Sequence, residues 1–331
     1  MNDLRGKKIL LISLSEYSKG LIDEMVSLGG NVDYFCDKPN NGVVCKTLGR
    51  LKFKPYMHVF DNYYDMRIKE RMHKQYDYVL CIRGEYTPIS ALKSIKKSFP
   101  NAKLILYMWD SIRNNKGIGK KWEYYDKIFT FDRIDYLNNK TVIQFLPLFY
   151  FNKYVPNDIG SYKYDLAFIG TGHEDRVKII KGIKTECIQK KLNLFEYIFV
   201  PHLFIYFKNK LLNKNYKDVS LGDVHFKLIP TKKAYEIYAS AKCVIDIESP
   251  TQNGLTMRTI EMIGLKKKLI TTNKDIVNYD FYNENNILVV DRNNFEIDKN
   301  FFSKPYQELS IEIYDKYSLK GWLLQLLKED E

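Results

Sequence analysis

SPTQNGLTMRTIEMIGLKKKLITTN, residues Ser249 to Asn273, is the stretch of this chain whose reading decides its fold. An apolar run, Cys243–Ile247, leads into it and reads as a buried strand. A polar turn with Pro250 and Gly254 follows, then a helix predicted over Leu255–Gly264 and a strand over Lys268–Thr272. Strand, turn, helix and strand in that order make a βαβ unit, which implies a parallel sheet. The first turn of such a helix leaves backbone N–H groups free, and its positive dipole end suits an anion. Glu261 stands about two turns in, where a carboxylate can accept hydrogen bonds from a ribose diol; Arg258 lies one turn earlier on nearly the same face. An ordinary βα turn with Arg258 and Glu261 as a surface ion pair is the plainer alternative. Turn, anion site and carboxylate occurring together favour the ligand reading.

The same alternation extends outward. Strands are predicted over Lys8–Leu14, Asn31–Cys36, Asp77–Ile82, Lys103–Met108, Lys127–Phe131 and Val142–Phe145. Helices are predicted over Tyr17–Leu28, Tyr64–His73 and Ile89–Ser98, with 40–54 as loop. Pro156 and Gly160 mark a linker from Phe149 to Lys163. The rhythm restarts with a strand at Tyr164–Ile169, a helix at His173–Lys191, a strand at Leu194–Val200 and a helix at Lys232–Ser240. The tail, Tyr306–Leu327, reads as helix with a break at Gly321. The fold class is α/β: two Rossmann-like domains, residues 1–150 and 164–305, with ligands expected in a cleft at the carboxyl ends of their strands.

A length of 331 residues allows two cores, and 45% hydrophobic with 28% charged residues is a globular balance. No run reaches the roughly 18 apolar residues of a membrane span. Ile9–Ile12 is too short for a signal peptide and reads as the first strand. The five cysteines are odd in number and form no CxxC pair, so neither a zinc site nor a disulfide framework is expected and a reducing cytoplasm is implied. The lysines behind the net charge of +12 are dispersed, which argues against nucleic acid and leaves an anionic membrane surface or phosphate-bearing substrates. Residues 195–216, FEYIFVPHLFIYFKNKLLNKNY, read either as a strand and a core helix or as a helix at a membrane surface.

Other strand ends carry candidates. Gly170, Thr171, Gly172 and His173 run from a strand into a helix, with Arg176 placed for bidentate contact to phosphate. Ser15 and Glu16 follow the first strand, Arg83 and Glu85 follow DYVLCI, and Trp109 and Asp110 follow LILYM. Each has a plainer reading: a tight turn, a local salt bridge for Arg83 and Glu85, a helix cap for Asp110. No HExxH or strand-end DxD is present, so no metal is expected.

The segment from Ser249 to Asn273 resembles the donor-binding motif of GT-B glycosyltransferases. Its wording is similar to the CgeB-like, lipopolysaccharide-core (RfaS-type) and capsule enzymes. Glu261 matches the motif's second, ribose-binding acid; Asn253 stands where the first acid is usual and Lys266 where Gly is usual. The resemblance implies a metal-independent glycosyltransferase of cell-surface polysaccharide or lipopolysaccharide biosynthesis. It would carry hexose or deoxyhexose from a nucleotide-sugar substrate to a saccharide or lipid-linked acceptor, without cofactor. It would work in the cytoplasm, with peripheral contact at the inner face of the membrane. Donor contacts fall to Gly170–His173, Arg176, Asn253, Gly254, Leu255, Thr256, Arg258 and Glu261. Ser15, Glu16, Arg83 and Trp109 face the acceptor, and Asp110 or Glu85 is the base. The resemblance also implies that helix 306–331 packs back on the first domain. A nucleotide-sugar epimerase or a silent binding subunit on the same fold are the alternatives.

Overall fold

A computed structural model describes residues 3–51, 53–152, 162–250 and 253–328, with backbone only at 15, 16, 43 and 54. The chain divides into two units, 1–147 with 319–331, and 148–318. Pro156 and Gly160 of the expected linker lie outside the described residues.

In unit 1 the order is β1 (Lys8–Ser13), α1 (Ser15–Ser27), β2 (Asn31–Cys36), α2 (Val43–Arg50), α3 (Lys54–Lys69), β3 (Tyr78–Ile82), α4 (Ile89–Ser98), β4 (Lys103–Met108), β5 (Lys127–Thr130), α5 (Arg133–Asn138) and β6 (Gln144–Phe145). The strands form one parallel sheet in the order β2-β1-β3-β4-β5-β6. All five residues of β3 are buried, and so are the last five of β1 and of β4. Uninterrupted apolar runs of this kind are what a parallel sheet covered on both faces requires. α1 covers it through Leu21, Met25 and Leu28, spaced to share one face.

Unit 2 follows with β7 (Tyr164–Thr171), α6 (Arg176–Gln189), β8 (Leu194–Phe199), α7 (Leu203–Leu212), α8 (Thr231–Ala239), β9 (Ala241–Asp246), α9 (Met257–Gly264), β10 (Lys268–Thr271), β11 (Ile287–Val289), α10 (Lys299–Ser303) and α11 (Ile311–Lys316). Its parallel sheet has the order β11-β10-β9-β7-β8. Phe168, Val177, Ile180, Ile198 and Ile245 lie at the centre of its core.

Four sequence readings need correction. Residues 40–54 are not all loop, because α2 lies there; it buries Cys45 against Phe60 and Tyr86. The helix read as Tyr64–His73 begins ten residues earlier, with Pro55 in its first turn, where a missing N–H costs nothing. Phe149, Tyr150 and Phe151 are buried rather than linker, and Tyr150 N–H donates to the Tyr317 carbonyl at 2.9 Å. The tail is two helices broken at Tyr317–Ser318; Gly321 lies inside the second, α12 (Leu319–Leu326). Residues 306–318 belong with unit 2, and the part after them belongs with unit 1.

α12 buries Leu319, Trp322, Leu323 and Leu326, one face of a helix. The Trp322 ring meets Tyr107 of β4 edge-on at 4.7 Å, and Lys127 Nζ donates to the Lys328 carbonyl at 2.7 Å. Unit 1 is thus closed by residues more than two hundred positions away in sequence. Trp322→Ala is expected to cost unit 1 about 3–5 kcal/mol, read as a lower thermal midpoint; an unchanged midpoint would show that α12 contributes nothing to it.

Candidate functional site

Unit 2 reverses its strand order between β7 and β9, so the crevice beyond their carboxyl ends is the natural ligand position. Asp246, the last residue of β9, is 1% exposed and organises that edge. Thr256 Oγ1 donates to its Oδ2 at 2.7 Å, Thr259 Oγ1 donates to the same oxygen at 2.6 Å, and Arg258 Nη1 donates to Oδ1 at 3.3 Å. Thr256 is also the N-cap of α9, accepting from the Thr259 N–H at 3.3 Å. A single carboxylate therefore fixes where α9 starts.

Arg258 is spoken for within the fold. Nε donates to the Tyr238 hydroxyl at 3.0 Å and Nη2 donates to the Ile169 carbonyl of β7, while the guanidinium lies over the Phe168 ring, 5.5 Å from its centre. It binds β7, α8, β9 and α9 together. Glu261, one turn on, is half-buried. Burial holds its carboxyl above the usual range, and the Tyr235 hydroxyl and Arg258 pull it the other way.

Arg176 is differently placed. Its Nε donates to the Ile247 carbonyl at 2.7 Å and its Nη1 to the Thr171 carbonyl at 3.3 Å. Among the described residues it makes no ion pair. Burial first, and then the charge of Arg258, lowers its pKa, while Asp246, Glu174 and Glu248 pull the other way. Burial and Arg176 together lower His173 as well. An anion at this point would offset these shifts by charge attraction.

The glycines of the β7–α6 turn serve packing. A Cβ on Gly172 would lie 2.6 Å from the Tyr216 hydroxyl and 2.9 Å from Ile198. The Gly172 N–H donates to the Phe199 carbonyl (2.8 Å) and its own carbonyl accepts from the Tyr216 hydroxyl. The His173 N–H donates to the Thr171 carbonyl at 2.9 Å. Gly170, in β7, pairs with Ile198 of β8 and leaves room for the Phe168 ring. The amides of Gly172 and His173 are thus already used, and α6 begins at Arg176 rather than at His173. Beyond β9, Asn253 is exposed, with its carbonyl accepting from Asn273 Nδ2 at 2.9 Å, and Gly254 and Leu255 are buried.

Two features here escaped the sequence reading. Glu248 is buried and accepts from Arg292 Nη2 at 2.7 Å, while Arg292 Nη1 donates to both Asp175 oxygens at 2.8 and 3.0 Å. The signals were an acid just after a buried strand, IDIES, and an arginine after another, VVDR. Lys266, where Gly was expected, has φ 51; its N–H donates to the Ile263 carbonyl and that of Lys267 to the Met262 carbonyl. This left-handed helix ending explains why glycine suits the position.

In unit 1 the order reverses between β1 and β3, and Arg83, Glu85 and Asp110 gather at the strand ends. Arg83 Nη2 lies 3.0 Å from Glu85 Oε2 and 3.6 Å from Asp110 Oδ2, and Arg50 Nε donates to Glu85 Oε1 at 3.2 Å. Arg83 and Gly84 both have positive φ, 75° and 63°, and the buried Lys121 holds them by donating to the Gly84 and Glu85 carbonyls. The Glu85 side chain is 5% exposed and that of Asp110 is 27%. Asp110 Oδ1 accepts from the Ser111 N–H at 3.0 Å and from Asn114 at 2.8 Å. The Trp109 ring lies tilted at 31° against Tyr17, centroids 4.8 Å apart. The Ser15 and Glu16 side chains lie outside the described residues. Asp37, another strand-end group missed in sequence, has its carboxyl raised by burial against the pull of Lys38. Among the described residues no three His, Cys, Asp or Glu side chains are grouped to hold a metal ion.

No family model matches the chain, and no curated protein matches it either. Solved structures do match it in fold. The N-terminal domain of Candida albicans trehalose-6-phosphate phosphatase superposes with a TM-score of 0.62 at 9% identity, covering 99% of both chains. HepE of Anabaena, solved in complex with UDP and glucose, gives 0.59 at 11% identity over 97% of this chain and 98% of its own. The lipopolysaccharide outer core galactosyltransferase WaaB, in its apo form, gives 0.51 at 13% identity over 97% and 96%. The chain has the GT-B fold of two Rossmann-like parallel-sheet domains.

If Asp246 organises the edge of unit 2, Asp246→Ala should cost about 3–5 kcal/mol, since it strands a buried guanidinium. Adding Arg258→Met should recover part of the loss. Thermal unfolding of the single and double variants measures both; equal losses in the two would show that the pair is not the organising contact.

Proposed function

We propose that the chain is a glycosyltransferase using a nucleotide-sugar donor held by unit 2. The observation that carries this reading is Arg176, a partly buried cation at the β7–β9 reversal, bonded to carbonyl oxygens with no carboxylate paired to it and with Arg258 beside it. A diphosphate has the charge that such a place lacks. The first-turn amides of α9 that Thr256 does not satisfy add to the same field. In the reaction, Arg176 would stabilise the charge developing on the departing nucleoside diphosphate. Glu261 would accept from the ribose. Arg258 acts by position, holding the ends of β7 and β9 where Arg176 needs them.

For the proton of the attacking hydroxyl, Asp110 is the better assignment than Glu85. It is the more exposed of the two, whereas Glu85 is enclosed by two guanidinium groups. The transfer is read as metal-independent, with Arg176 in the charge-neutralising role. The likeness of residues 249–273 to the CgeB-like and RfaS-type enzymes extends the proposal to cell-surface polysaccharide or lipopolysaccharide assembly, with a saccharide or lipid-linked acceptor and hexosyl or deoxyhexosyl transfer on the cytoplasmic side of the membrane.

Calorimetric titration with a panel of nucleoside diphosphates, without metal, tests the donor site. The wild type should bind one of them, and Glu261→Ala should weaken that binding by about 10–100-fold, the worth of a charged hydrogen bond. No binding of any nucleotide at concentrations that would reveal high-micromolar affinity overturns the transferase reading. Binding with turnover of the donor sugar but no transfer would point to an epimerase instead.

A further inference from the structure

α7 has its apolar face turned the wrong way for a helix that only builds a core. Tyr206 fastens it to unit 2: the ring is buried and the hydroxyl donates to the Val219 carbonyl at 2.8 Å. Turned to solvent, Leu203 is 50% exposed, Phe204 75%, Phe207 55% and Leu211 84%. At about 100° per residue these four fall within a single arc of roughly 100°. Lys210 borders the arc on one side and Lys208 on the other. Lys210 Nζ is bound to the Lys217 and Val219 carbonyls, at 2.6 and 2.8 Å; Lys208, Lys214 and Lys217 are exposed. Residues 203–217 contain four lysines and no acid; the first acid beyond is Asp218.

We infer that this face of α7 seats unit 2 on an anionic lipid bilayer. Exposed Phe and Leu would enter the interface while lysines at the rim reach the phosphates. The lysines decide between occupants. Lysine is depleted in protein–protein interfaces, whereas an apolar stripe with lysines beside it is the pattern of a helix lying on lipid. The absence of acids over the whole segment removes the repulsion that a negative surface would otherwise exert. No helix among the described residues is long and apolar enough to cross a membrane, so contact through α7 would be peripheral.

Co-sedimentation with vesicles tests this, comparing phosphatidylcholine alone with an equal mixture of phosphatidylcholine and phosphatidylglycerol. The protein should bind the anionic vesicles at least ~10-fold more tightly than the neutral ones, and added salt should weaken that binding. The variant Phe204→Ser/Phe207→Ser/Leu211→Ser and the variant Lys208→Glu/Lys214→Glu should each lose ~10-fold or more. Unaltered vesicle binding by either variant overturns the inference, as does failure of the wild type to bind the anionic vesicles. So does a concentration-dependent dimer that the triple variant abolishes, because α7 would then meet a second copy. If the triple variant melts early, Phe204→Ser alone carries the comparison. Nucleotide titration of the same variants reports separately on the donor site, which none of these substitutions touches.

Discussion

A carboxylate that is 1% exposed cannot be left uncompensated, and at Asp246 the compensation comes from three side chains of the segment that follows. That requirement shapes the edge of unit 2. Thr256 can satisfy Asp246 only by standing where it also caps α9, so the helix begins there and not two residues earlier. Arg258 can reach Asp246 only by lying inward, which brings its other nitrogens to Tyr238 and to the end of β7. One buried charge thereby joins β7 to β9 across the strand reversal. Asp246 is bonded to Arg258, and Arg176 next to them feels Asp246, Glu174 and Glu248 only at a distance, with no ion pair among the described residues.

How much of this the sequence discloses follows from the range of each interaction. Both sheets were legible because a parallel strand covered on two faces writes itself as a local run: ILLI in β1, YVLCI in β3, CVI in β9. α2 was not legible. Its eight residues VVCKTLGR include a glycine, and its stability comes from Phe60 and Tyr86 in other elements. In the tail, Gly321 looked like the break but sits in a well-packed helix; the true break, Tyr317–Ser318, is set by Tyr150, far away in sequence. Arg258 was singled out for its position on the helix, and its partners then decide its role. One of them, the Ile169 carbonyl, is 89 residues away. The turn from Gly170 to His173 has a similar history: the glycines were visible, but Tyr216, which requires one of them, was not.

The two units solve the same problem by different means. In unit 2 the strand reversal is held by one carboxylate and a cap. In unit 1 it is held by a buried amine: Lys121 is bonded to the carbonyls of a bend in which Arg83 and Gly84 are both left-handed, a strain for Arg83 alone. Strain of this kind survives only where the surroundings over-determine it. Here it aims Arg83 at two carboxylates at once, Glu85 and Asp110. Of these, Glu85 is closed in by Arg50 as well, so it serves the loop, while Asp110 keeps an exposed oxygen side.

Identities of 9 to 13% to structures that share the fold show how little of a sequence the fold itself dictates. A covered parallel sheet needs apolar residues in the right period and is indifferent to which ones, so many sequences reach it. A site has no such latitude. Position 266 shows the intermediate case: the backbone needs a left-handed residue after α9, glycine supplies it without strain, and Lys266 supplies it at φ 51 with its ammonium 2.7 Å from Glu308. The geometry is kept and the residue type is not. Asn253, which the resemblance sets where an acid is usual, differs in kind, because an amide lacks a charge that no backbone conformation supplies. The nearest buried acid after β9 is Glu248, and it is already bound to Arg292. The balance of charge at this edge is therefore more positive than a motif with both acids would make it.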